Sequence, residues 1–154
     1  MVKLALRFEG DPVLRQICKS VEKIEKRHLK LANGMVELMY EKGGIGLAAP
    51  QVGVSERIVV FDTEWIKSDD AEFKPYLLFN PEIDTISSEL VSDREGCLSL
   101  PGHEGMVDRA LWVAVKYKNH AGKEQIKRFE GLDARCVQHE IDHLDGILFL
   151  DHLK

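Results

Sequence analysis

The sequence predicts an α+β domain in which a mainly antiparallel sheet packs around a helix near the C-terminal end, with further helices at the N-terminal end. Three observations carry that expectation. Leu29, Ala32, Met35, Val36 and Met39 recur at helical spacings, short β-branched and aromatic runs fill the middle of the chain, and Leu132 to Asp145 reads as a helix again. Taken in order, Asp11-Pro12 starts a short helix through Ile17, because proline suits the first helical position and Asp caps free N–H groups. A helix from Lys26 to Lys42 follows and stops at Gly43-Gly44. Arg57 to Phe61 and Tyr76 to Phe79 read as strands, with polar loops that include Ser68-Asp69-Asp70. Leu111 to Lys118 and Glu124 to Phe129 flank Asn119-His120-Ala121-Gly122-Lys123, a hairpin whose loop exceeds two residues. The last helix ends at Gly146, a residue suited to a left-handed cap.

With 154 residues, 44% hydrophobic and 31% charged, the chain reads as one domain over 1–154 that buries a core without disulfides. No apolar run approaches the ~18 residues of a membrane span, and the first residues lack both a secretory signal's apolar core and the Arg/Ser richness of a transit peptide. A soluble, cytoplasmic monomer with no targeting segment is expected. The net charge of −5, without a basic stripe, argues against nucleic acid or anionic lipid as main partners. Cys18, Cys97 and Cys136 are too few and too unevenly placed for a disulfide framework, so each is core filler, metal ligand or nucleophile.

Gln138-His139-Glu140-Ile141-Asp142-His143 contains H-E-x-x-H on the last helix. Four residues advance a helix by ~400° and ~6 Å, so His139 and His143 project from one face and can share one divalent metal. Glu140 flanks that metal as a base candidate, not a ligand. Val137 and Ile141 mark the helix as partly buried, where two unpaired histidines would be costly.

A catalytic site needs a third protein ligand and an open position. Cys136 precedes His139 by one turn, but it lies ~10.5 Å from His143 along the axis, too far to share the ion. It reads as a packed core thiol, and Cys18, on the early helix, as a small part-buried residue. Cys97, in Glu95-Gly96-Cys97-Leu98-Ser99-Leu100-Pro101-Gly102, remains. It serves as third ligand or as a nucleophile with a histidine base; the two same-face histidines favour the metal reading. Gly43 to Gly53 is no phosphate loop, but its small residues allow close backbone contact, and Gln51 can offer an amide N–H to an oxyanion.

Together G-I-G-L-A-A-P-Q (Gly44 to Gln51), E-G-C-L-S (Glu95 to Ser99) and Q-H-E-I-D-H (Gln138 to His143) resemble, in the same order, the motifs of the peptide deformylase family. Asp11-Pro12-Val13-Leu14-Arg15 and Phe79-Asn80-Pro81 are similar to flanking segments, so the resemblance covers nearly the whole chain. It implies a central metal-binding helix, with Cys97, His139 and His143 as ligands and water in the fourth place. It also implies Glu140 as general acid/base to an attacking hydroxide, with the Gln51 side chain and the Leu98 N–H as oxyanion donors. The main chain of Gly44, Ile45 and Gly46 and of Glu95 and Gly96 would cradle the substrate, and the Arg135 stem would border the methionine pocket. The family removes formate from N-formylmethionyl peptides, here expected at the ribosome, usually with Fe²⁺; a Cys/His₂ set also accepts Zn²⁺, Ni²⁺ or Co²⁺. A bacterial cell, with virus encoding as an alternative, is the expected setting, and the resemblance leaves an organelle open as well.

Some features depart from the pattern. Glu104 stands where related sequences commonly carry Arg, and reads first as a solvated loop carboxylate. Arg109 and Asp142 are candidates to pair behind the site, as a structural salt bridge rather than a catalytic pair. The chain stops at Lys154, short of the longer C-terminal helix of many bacterial relatives, so ribosome docking through such an extension is not expected. The rival readings are an H-E-x-x-H endopeptidase and a binding module with a closed structural metal, for which Cys136 would supply the fourth ligand.

Overall fold

The apolar stripe from Leu29 to Met39 forms helix α1 (Lys26–Glu41) in a computed structural model that describes residues 3–153. Met1, Val2 and Lys154, the ends that bear on a targeting segment and a C-terminal extension, lie outside the described residues. After α1 the order is β1 (Gly46–Ala48), β2 (Ile58–Phe61), β3 (Tyr76–Ile86), β4 (Leu90–Gly96), β5 (Glu104–Ala110), β6 (Trp112–Lys118), β7 (Glu124–Glu130) and helix α2 (Gly131–Leu144). Short 3₁₀ turns form at Pro12–Arg15, Ala49–Val52 and Phe149–His152. The α+β class and the antiparallel pairing agree with the sequence reading, but the strands divide into two sheets, ordered β1-β2-β3-β6-β7 and β4-β5.

The larger sheet is covered on both faces. Ile58 and Val60 of β2 join Met35, Val36 and Met39 of α1, while Val59 and Phe61 join Val137, Ile141 and Leu144 of α2. That two-sided burial explains why β2 reads as an unbroken apolar run. Helix α2 also packs against β5, so it touches both sheets. A third apolar group, Leu14, Leu100, Val107, Leu148 and Phe149, lies near its C-terminal end.

Several boundaries differ from expectation for identifiable reasons. The first helix is only a 3₁₀ turn over Pro12–Arg15, with Asp11 accepting from the Val13 N–H at 3.1 Å. Cys18 therefore lies outside any helix; its N–H donates to Leu144 O at 2.8 Å and its side chain is buried. Strand β3 runs well past Phe79, because Asn80 takes a left-handed φ of 53° and the register shifts around Pro81. The Asn80 amide then holds Val21, accepting from its N–H and donating to its O at 2.7 Å each. Helix α1 stops where expected, with Gly43 at a φ of 73° and the Gly44 N–H donating to Met39 O. No helix among the described residues is long and apolar enough to cross a membrane.

Candidate metal centre

Three distant segments converge on one point. Cys97 follows β4, His139 and His143 lie one turn apart on α2, and their donor atoms all fall within 4.8 Å of one another. Among the described residues they are the only such group of possible ligands found. Cys97 Sγ lies 3.4 Å from His143 Nε2. Sulfur and nitrogen on one tetrahedral ion, at ~2.3 and ~2.1 Å, would stand about 3.6 Å apart, so the donor set fits a divalent cation. Cys136 is not in the group. Its thiol donates to Ile45 O at 3.6 Å within the core, where burial pushes its pKa well up, which removes the fourth ligand that a closed structural site would need.

The backing of the site is ionic. Glu95 Oε1 faces His139 Nδ1 at 2.9 Å, which leaves the other ring nitrogen for a cation. Arg109 donates to both Glu95 oxygens, at 2.8 and 2.9 Å, and reaches Asp142 at 2.6 Å. Arg135 donates to Glu95 Oε2 at 2.6 Å and also to Val107 O and Val91 O. Burial works against the Glu95 carboxylate, yet Arg109 and His139 hold it well below the usual carboxylate range. Burial likewise opposes charge on His139, but Cys97 and Glu95 outweigh it and raise it to about 10. The pocket thus favours positive charge, which a bound cation would supply in place of that proton. Burial, then His139, pushes His143 well below its ordinary value, leaving it neutral and able to ligate.

Glu140 is 4% exposed, its Oε1 has no hydrogen-bond partner, and burial raises its carboxyl to about 7. A nearby cation would draw that value down. A Cβ on Gly46 would lie 2.5 Å from Glu140 Oε2 and 2.7 Å from Cys136 Sγ, so only glycine lets β1 pass this close to the carboxylate. Gln51 is anchored through Oε1, which accepts from the Ala48 N–H at 2.9 Å, so its amide nitrogen points to Ser99 Oγ at 3.1 Å and Cys97 Sγ at 3.4 Å.

A cavity of about 630 Å³ opens in front of these groups. Gly44, Ile45, Gly46, Gln51, Glu95, Gly96, Cys97, Leu98, Arg135, His139 and Glu140 all line it, which brings most of the sequence candidates together. Three expectations need refinement. The Glu95 side chain backs His139 from behind, and the Arg135 head is tied into the same ionic cluster. Glu104 lies at the mouth on β5, not in a loop, and pairs with Arg94 at 3.3 Å while remaining exposed. Sequence reasoning missed Ser99, the stacking of Phe149 on His139 (ring centroids 6.0 Å apart) and the Arg109–Glu95 pair. Ser99 sat within the cysteine motif, whereas neither Phe149 nor the arginine pair leaves any local pattern.

Fold and site together define an enzyme of the metallo-hydrolase class. The family model described as polypeptide deformylase matches residues 5–154. A peptide deformylase of Halothermothrix orenii is 51% identical over 152 residues, covering 98% of this chain and 94% of that protein. The crystal structure of peptide deformylase from Thermotoga maritima superposes with a TM-score of 0.91 at 39% identity, covering 100% of this chain and 99% of that one. A peptide deformylase from Synechococcus elongatus in complex with actinonin gives 0.91 at 42% identity, covering 98% and 79%. The chain belongs to the polypeptide deformylase family.

Proposed function

We propose that this chain hydrolyses the formyl amide at the N-terminus of N-formylmethionyl nascent peptides and releases formate, acting as a single catalytic domain over 1–154, as a cytoplasmic monomer meeting its substrate at the ribosome. One observation carries the reading: Cys97, His139 and His143 gather within 4.8 Å beside a buried carboxylate, Glu140, with one oxygen unpartnered.

Cys97, His139 and His143 would hold one divalent ion, Fe²⁺ in first place and Zn²⁺, Ni²⁺ or Co²⁺ as alternatives. When bound, the ion supplies Lewis acidity and makes water acidic enough to attack near neutrality. Glu140 takes the proton of the attacking water and returns it to the leaving amine. The Gln51 amide N–H and the Leu98 N–H donate to the oxygen of the formyl carbon as it becomes negative, and a donor in such a position contributes ~2.7–4 kcal/mol. Glu95, clamped by Arg109 and Arg135, keeps His139 in one orientation. The main chain of Gly44 to Gly46 and of Gly96 forms the walls between which an extended peptide would lie, and the Arg135 stem borders the side-chain pocket.

Anaerobically purified protein should release formate from formyl-Met peptides and leave casein uncut. Digestion of casein without formate release would turn the reading into an endopeptidase.

A further inference from the structure

We propose that the loop between β2 and β3 carries a subsite for an apolar side chain at the third or fourth residue of the substrate, built by Trp65, Ile66 and Phe73 beside the Gly44 rim of the cavity. The proposal rests on the deformylase reading above and adds a preference to it.

The loop is pinned at both ends. Asp62, 1% exposed, accepts from the Tyr40 hydroxyl at 2.6 Å and from the N–H groups of Glu64 and Lys74 at 2.9 Å each. One carboxylate thus gathers the start of the loop, its end and the last turn of α1. The Tyr40 ring lies 4.5 Å from Phe73 and 5.3 Å from Trp65, centroid to centroid. The indole N–H of Trp65 donates to Gly44 O at 3.1 Å. Gly43 and Gly44 line the cavity, and a Cβ on Gly44 would stand 2.7 Å from a Leu98 methyl, so the aromatic group is joined to the cavity wall itself.

Despite this anchoring, Phe73 stays 64% exposed and Ile66 50%. A single exposed apolar side chain is ordinary, but two beside a half-buried indole that is bonded to Gly44 of the cavity wall form a patch that a ligand can cover. The register tells which part of the ligand. Gly46 passes against Glu140, which marks the reacting end. Gly44 lies two positions before β1 begins, and an extended peptide advances about 3.3 Å per residue. The third substrate residue therefore comes level with Gly44, and the fourth reaches the rings beyond it. Rigid aromatic surface of this kind favours leucine or phenylalanine over small polar side chains.

The test compares kcat/KM for formyl-Met-Ala-Leu-Leu and formyl-Met-Ala-Ser-Ser, with formyl-Met-Ala as the reference substrate for each protein. In the parent the Leu peptide should be favoured about fivefold, mainly through KM, as burial of a modest apolar area implies. In the Ile66→Ser/Phe73→Ser variant, changed only at exposed positions, the ratio should fall to about one. A ratio of one in the parent, or the same preference in the variant, overturns the subsite while formate release from formyl-Met-Ala upholds the deformylase reading. No formate from any of the peptides sinks that reading and the subsite with it.

Discussion

Glu95 Oε1 lies 2.9 Å from His139 Nδ1, and the same carboxylate is gripped by two buried guanidinium groups, those of Arg109 and Arg135. A side chain one position removed from a glycine of the cavity wall thus fixes how an imidazole on another element is aimed. Glu95→Gln keeps the shape but leaves buried Arg135 without its counter-charge and Arg109 with Asp142 alone, which should cost about 3 kcal/mol of stability. Metal affinity should fall by about 10–100-fold, because the imidazole loses its charged acceptor. Thermal unfolding and competition with a chelator measure the two effects; unaltered metal affinity would mean that His139 is oriented by packing alone.

Glu140→Ala should retain the ion and lose turnover. Its carboxylate faces the cavity without joining the three donors, so metal content is expected at the parent level while formate release drops by about 10²–10⁴-fold. Metal analysis and a formate assay on the same sample decide it, and parent-like turnover in the metal-loaded variant would refute the role.

Gly46→Ala tests the close approach of β1 to the acid. The added methyl would meet Glu140 Oε2 and Cys136 Sγ at 2.5 and 2.7 Å, and both side chains are buried and unable to retreat freely. The expected outcome is a loss of kcat with metal content kept. Full activity would show that the carboxylate can shift without consequence.

The two cysteines nearest the site should behave oppositely. Cys97→Ala removes a donor and should abolish stoichiometric metal, whereas Cys136→Ala should keep it and cost only about 1 kcal/mol, the scale of one deleted core heavy atom. Elemental analysis separates them.

Much of this centre was legible in the sequence because its parts are local. H-E-x-x-H declares itself by helical spacing, and Gln51 and Cys97 fall inside short motifs. The strands around it were harder. β4 exposes every side chain except Glu95, so no apolar alternation betrays it, and β5 is nearly as exposed at its start. β1 is only Gly46–Ala48, buried throughout and made of small residues, so it reads as a connection. The ionic cluster of Glu95, Arg109, Arg135 and Asp142 has no period at all, since it exists only once β4, β5 and α2 have met.

Away from the site, acid should erode one anchor of α1. Glu56 accepts from Arg27 at 2.8 and 3.2 Å and lies 3.1 Å from His28 Nε2; the Arg27 hydrogen bond holds its pKa below 4.5. A depressed carboxyl pKa adds stability that is present above the unfolded value and vanishes as pH falls through the folded one. Because Arg27 is largely exposed, the gain is at most about 1 kcal/mol. Glu56→Gln should therefore melt lower than the parent at pH 6, with the gap closing towards pH 3. A gap that persists at pH 3 would assign the loss to packing.

Cys97 follows the smaller sheet and both imidazoles project from the helix beneath the larger one, so an ion held by all three would act as a removable cross-link between two halves of the molecule. Resistance to unfolding would then be a function of free metal, rising by about 2.7 kcal/mol at a hundredfold excess over the dissociation constant. A cell that runs short of the ion would lose the fold's reinforcement along with its catalyst.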